Sequence, residues 1–158
     1  MRQQIRWLLL IVVALLTWGC RTSQVAAPPV SFPTEARSEK GTIAWSYDYE
    51  AALAQARDES KPLMVDVFAT WCAPCKMLDE DVFSRADVAN ASRNFVPLKL
   101  DGDKTPALRD KLGVTGYPTV VFLSPDGKEI ARSLGLVPSQ IMLDTMAQAL
   151  EKAGGRQP

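Results

Sequence analysis

Leu63-Met64-Val65-Asp66-Val67-Phe68 runs through Ala69 and Thr70 into Trp71-Cys72-Ala73-Pro74-Cys75-Lys76. An almost unbroken apolar run of this length predicts a strand covered on both faces. The two cysteines, spaced C-x-x-C, then open a helix, in which Pro74 takes an early position where its missing N–H costs little. Cys72 therefore falls at the helix N-terminus. Unpaired N–H groups and the macrodipole there favour a thiolate, holding the thiol below the value of about 8.5 for free cysteine. Cys75 stands one turn further in, close enough to attack a mixed disulfide formed at Cys72. The spacing points to reversible dithiol–disulfide exchange.

Two other uses of the pair compete with this one. Half of a zinc site would need a second pair of ligands, but the chain has no histidine and its third cysteine, Cys20, lies far away. A permanent structural disulfide suits an exported protein, but such bridges tie distant segments together, and this pair sits at one strand-to-helix junction. The absence of histidine also excludes Ser-His-Asp and Cys-His catalysis and any histidine pH switch. Charge is balanced at 18 basic and 18 acidic residues with no basic cluster, so nothing suggests nucleic-acid binding.

Asp66 is the anomaly in the strand. A lone carboxylate in a buried strand is costly without a partner or a task, so it is either a buried base beside the cysteines or a polar residue on an exposed face. Lys99 is either its neighbour or a surface lysine. Pro118 could begin a strand in the ordinary way, and Trp71 could belong to the core.

WCAPCK resembles the active site of the thioredoxin family, with Ala73 where glycine is usual. Asp66 matches the family's buried carboxylate, Lys99 the lysine beside it, and Tyr117-Pro118-Thr119 the cis-proline segment that faces the cysteines. Gly135 matches a glycine near the substrate groove. The likeness covers residues 43–150. It implies a thioredoxin fold, a central mixed sheet flanked by helices. It also implies a catalytic set of Cys72, Cys75, Asp66 and Lys99, with substrate contacts from Trp71, Ala73, Pro74, Tyr117 and Pro118, and neither metal nor cofactor. Tyr117 replaces a common aliphatic residue, which bears on substrate choice. The histidine found between the cysteines of strongly oxidising relatives is missing.

Residues 1–20 have the form of a leader, with Arg2 and Arg6 ahead of twelve mostly apolar residues, too few for a comfortable membrane span. They close on Gly19-Cys20, which resembles a bacterial lipoprotein signal in which Cys20 would be lipidated. Thr17 and Trp18 depart from that pattern. Cleavage near Ala26-Ala27 and an uncleaved anchor are the rival readings. Residues 21–42, with Pro28, Pro29 and Pro33, read as a tether. Residues 43–152 form the folded domain and 153–158 a tail.

Within the domain the expected order is a short strand or anchor at 43–45 and a helix at 48–60 with Tyr49, Ala52, Leu53 and Ala56 inward. The central strand and the cysteine helix to about 81 come next, then a helical piece at 87–92. A strand at 95–100 must tolerate Pro97 at an edge. After it stand a helix at 105–112, a hairpin at 118–132, and a helix at 139–152 with Leu143, Met146, Ala147 and Leu150 inward. Expected partners are protein disulfides or dithiols, a membrane thiol-reductase as electron donor, and the membrane itself through the N-terminus. The chain is expected to be exported, membrane-anchored facing the periplasm, and monomeric.

Overall fold

The structure, a computed structural model, describes residues 39–154. The leader with Cys20, residues 21–38 of the tether and residues 155–158 lie outside the described residues.

Helix α1 (Tyr49–Glu59) begins where the Asp48 carboxylate accepts the Ala51 N–H at 3.0 Å. It buries Tyr49, Ala52, Leu53 and Ala56, the face that the spacing indicates. At its end Ser60 N–H donates to Arg57 O and Lys61 N–H to Ala56 O, a Schellman closure that puts Ser60 at φ 52°. Pro62 forbids further helix, and β1 (Leu63–Phe68) begins. The cysteine helix α2 (Ala73–Leu78) widens into a π-helical turn over Asp79–Phe83, and α3 (Ala86–Ser92) leads to β2 (Val96–Asp101). Helix α4 (Pro106–Lys111), β3 (Thr119–Leu123), β4 (Glu129–Leu134) and α5 (Ser139–Gly154) complete the order.

The sheet runs β2-β1-β3-β4, with β1 and β2 parallel and the other pairs antiparallel. Side chains alternate across it. Leu63, Val65 and Val67 face α1 and α4, while Met64 faces the cluster of α2, α3 and α5 that includes Leu78, Phe122 and Met142. Helices on both faces explain why β1 is apolar at every position but Asp66.

Two expectations change and one narrows. At 43–45 the anchor forms and not the strand: Ile43 packs in the core with Trp45 against it, and pairing reduces to one bridge at Ser46, whose N–H reaches Pro97 O and whose carbonyl takes Lys99 N–H. A tight turn, Trp45 N–H to Ile43 O, breaks the extended run before it can pair. The cysteine helix does not stay α-helical to 81, since Ser84 N–H bonds Asp79 O across the wider π turn. In α5 the inward stripe is Met142, Met146 and Ala149, flanked by Leu143 and Leu150, and Ala147 is exposed. Pro97 does lie at the sheet edge. The N–H of Val96 serves the β1 side and that of Lys99 the outer side, so the donor Pro97 lacks belongs to the outer side.

Ser60 is the one non-glycine residue at positive φ among the described residues. Glycine adopts that conformation without the Cβ clash, which costs roughly 1–2 kcal/mol, so Ser60→Gly should raise stability by about 0.5–1 kcal/mol after glycine's larger loss of chain entropy. Urea unfolding of the two proteins would show it as a higher midpoint at unchanged slope.

Candidate active site

Cys72 is the N-cap of α2, with extended backbone at φ −74° and ψ 104°. Its Sγ accepts the N–H of Cys75 at 3.2 Å and is joined to Cys75 Sγ in a disulfide. Pro74 at the start of the helix has no N–H, so the first-turn donor directed at the outer sulfur is that of Cys75. The sulfurs are less open than the sequence suggests: Cys72 is only 3% exposed and Cys75 5%. With Ala69 they form a small apolar cluster against which Phe68 and Tyr117 pack.

Behind the cysteines, Asp66 and Lys99 are direct partners in the parallel register of β1 and β2. Asp66 is 2% exposed, its Oδ2 lies 3.3 Å from Lys99 Nζ, and its Oδ1 has no hydrogen-bond partner among the described residues. Burial pushes the Asp66 carboxyl up to about 6. The Lys99 ammonium restrains the rise, and the charge of Asp79 adds to it. Lys99 Nζ also hydrogen-bonds Asp79, one turn beyond Cys75 on the same helix. Around that ammonium stand the rings of Trp45, Phe68 and Phe83, at 5.2, 5.4 and 5.8 Å.

On the outer side, the Tyr117-Pro118 peptide bond is cis. The carbonyl of Pro118 accepts the N–H of Gly135, which has φ 73°. Trp71 Nε1 donates to Asp103 Oδ2 at 2.7 Å, and Tyr117 Oη donates to Asp103 Oδ1 at 3.1 Å. The two rings meet edge to face at 5.9 Å. Trp71 is 69% exposed, so it forms a rim and does not belong to the core. Tyr117 fits because residue 102 is glycine: a Cβ there would come within 2.4 Å of the Tyr117 hydroxyl. An open cleft of about 500 Å³ lies alongside, lined by Trp71, Arg109, Thr115 and Tyr117 among others.

A family profile described as Thioredoxin-like domain matches residues 49–150. The chain belongs to the thioredoxin-like family. It is 34% identical over 109 residues to the thioredoxin-like protein HCF164, chloroplastic, of Oryza sativa subsp. japonica, covering 69% of this chain and 40% of that protein. Against the thiol:disulfide interchange protein DsbD of Klebsiella pneumoniae subsp. pneumoniae it is 31% identical over 135 residues, 78% of this chain and 22% of that one. The chain thus spans less than half the length of these curated relatives. Among solved structures, a thioredoxin from Thermus thermophilus superposes with a TM-score of 0.65 at 28% identity, covering 72% of this chain and 91% of that one.

In this thioredoxin-like domain the residues singled out from sequence fall into two groups. Cys72, Cys75, Trp71 and Tyr117 gather at one end of the sheet, while Asp66 and Lys99 pair beneath. Ala73 and Pro74 are exposed on the first turn of α2. Cys20 lies outside the described residues. Sequence reasoning missed Asp79 and Asp103. Asp79 had a usable signal, the i, i+4 spacing from Cys75 that puts both on one helix face. Asp103, in a surface loop, had none.

The native state holds the Asp66 proton up to about pH 6, whereas an ordinary aspartate releases it near 3.8. Native stability therefore falls as pH rises between those values and stays lower above them. Asp66→Asn should abolish that fall, adding about 1–3 kcal/mol at neutral pH and nothing below pH 3.8. Unfolding midpoints of the disulfide-bonded proteins on either side of that window measure it.

Proposed function

We propose that this protein is a thiol:disulfide oxidoreductase that reduces disulfides in other proteins through Cys72 and Cys75. The observation that carries the proposal is the Cys72–Cys75 disulfide at the mouth of α2, with a buried Asp66 of raised pKa in the strand that leads to it. Once the pair is reduced, the Cys75 N–H that points at Cys72 Sγ favours a thiolate there. That thiolate attacks a substrate disulfide, forming a mixed disulfide and releasing one substrate sulfur as thiolate. Cys75 then attacks Cys72 Sγ, the Cys72–Cys75 bond forms, and the second substrate thiol leaves. Resolution needs Cys75 to lose its proton. Asp66 takes it, since a carboxyl with a pKa near 6 is largely ionised at neutral pH yet basic enough to accept a proton. Lys99, bonded to both Asp66 and Asp79, tunes that basicity.

Substrates approach across Trp71, Ala73 and Pro74 and add a strand to the Tyr117-Pro118 backbone, in the manner of peptide capture at a free edge. Residues 1–42 serve as leader and tether. They hold the domain of residues 43–152 outside the cytoplasm, facing the periplasm, with Cys20 as the point of lipidation and a membrane thiol-reductase as electron donor. The relative named thiol:disulfide interchange protein supports exchange with partner proteins. The reducing direction rests on that likeness and on the absence of a histidine between the cysteines. A midpoint potential near −270 mV would agree with it, and one near −120 mV would make the protein an oxidant instead.

Insulin reduction driven by dithiothreitol should be fast with the wild type and at the uncatalysed rate with Cys72→Ser. Equal rates would leave a binding module without turnover. Cys75→Ser should accumulate a mixed disulfide on Cys72, which mass spectrometry of the adduct identifies. Asp66→Ala should retain the fold but slow resolution by roughly 100–10,000-fold, the ordinary scale of a lost general base. Trapped adduct no higher than in the wild type would remove Asp66 from the mechanism.

A further inference from the structure

Arg132 lies in β4, its side chain 23% exposed, and its guanidinium crosses to the C-terminal end of α4. There one terminal nitrogen donates to Leu112 O at 2.6 Å and the other to Gly113 O at 3.2 Å. The last carbonyls of a helix have no partner within it, so a fork of donors from outside meets an existing need. Glu129, three residues earlier, aims the fork: its carboxylate accepts from Arg132 Nε at 2.9 Å and from the same nitrogen that serves Leu112 at 2.7 Å. Gly113 turns the chain at φ 62° against this cation, and a Cβ there would stand 3.8 Å from the guanidinium.

From Gly113 the chain leads to Tyr117 and cis Pro118. The far end of this segment is fixed by three bonds: Thr119 Oγ1 donates to Gly116 O, Gly135 N–H to Pro118 O, and Tyr117 Oη to Asp103. Its near end is held by Val114, buried in the core with its N–H on Arg109 O, and by the Arg132 fork from β4. Thr115 and Gly116 between the two ends are exposed. A segment held at both ends presents its backbone in one place, whereas without the fork the near end keeps only the packing of Val114 and the bonds of its own helix.

We propose that Arg132 is a positioning residue for substrate capture, holding the Leu112–Gly113 carbonyls so that the Tyr117-Pro118 backbone keeps its place beside the disulfide. The proposal rests on the exchange reaction of Cys72 and Cys75. It assigns Arg132 to the binding of protein substrates and not to the sulfur chemistry.

The test measures insulin reduction by the full chain with dithiothreitol as electron source, alongside the rate at which dithiothreitol alone reduces Cys72–Cys75. Arg132→Ala should raise KM for insulin about three- to tenfold, the scale of a lost charge-assisted hydrogen bond partly replaced by water. Both kcat and the dithiothreitol rate should stay within about twofold, too small a change to represent loss of a catalytic group. Arg132→Lys, which keeps the charge but not the fork, should recover only part of KM. If Arg132→Ala does not fold, Glu129→Gln serves instead, with a smaller rise in KM in the same direction. An unchanged KM in the folded variants overturns the proposal, as does a KM change matched by an equal loss in the dithiothreitol rate. A wild type without cysteine-dependent turnover would bring down the oxidoreductase reading and this one with it. A wild type that turns over beside an unmoved KM would bring down only this one.

Discussion

One ammonium group shared between two carboxylates holds the inner half of the site together. Asp66 occupies the central strand at 2% exposure, where an unpaired charge would be intolerable. Lys99 reduces the penalty without cancelling it: burial outweighs its attraction, and the charge of Asp79, bonded to the same Nζ, adds to the rise. The outcome is a carboxyl displaced from 3.8 to about 6, a group that can carry or release a proton near neutral pH. A private Asp66–Lys99 pair would have held the carboxyl lower. The second acid keeps it responsive.

That lysine also explains parts of the chain that look like plain packing. Trp45 and Phe83 stack edge to face at 5.2 Å and, with Phe68, wall in the ammonium. Trp45 belongs to a segment joined to the sheet by a single bridge at Ser46. This thinly paired stretch is held by Ile43 and Trp45 in the core, and it closes the lysine off from one side. The residues that bury Lys99 are thus drawn from β1, the π-helical turn and the segment ahead of α1.

What could be read from the sequence was local. The inward face of α1, the apolar β1 and the edge position of Pro97 all come from spacing and from the chemistry of single residues. The resemblance added the Asp66–Lys99 pairing and the cis bond before Pro118, neither of which periodicity contains. What escaped depends on contacts across long stretches of chain. Asp103 meets Trp71 across 32 residues, and Arg132 meets Leu112 across 20. At 43–45 the anchor formed and not the strand because a turn at Ile43 competes with pairing, and composition cannot arbitrate between the two. The low exposure of Cys72 was equally invisible, since it comes from Phe68 and Tyr117 folding back onto the disulfide.

The register of the sheet explains why so many separate loops converge. Val67 pairs with Leu100 on one side and Thr119 on the other, and Thr119 pairs with Leu134. The ends of β1, β2 and β4 and the beginning of β3 therefore lie at one edge of the sheet. Each delivers a different part: Trp71 and the cysteines after β1, Gly102 and Asp103 after β2, Tyr117 and Pro118 before β3, Gly135 after β4. Open α/β sheets place their ligands beyond the carboxyl ends of parallel strands, and here β3, running the other way, adds the loop before it to that same end. Asp103 accepts from both Trp71 and Tyr117, so one carboxylate fixes the loop that carries the sulfur against the loop that carries the cis bond. Precision at the disulfide thus comes from the sheet register and from cross-links between loops, and the short helix that bears the cysteines need not supply it alone.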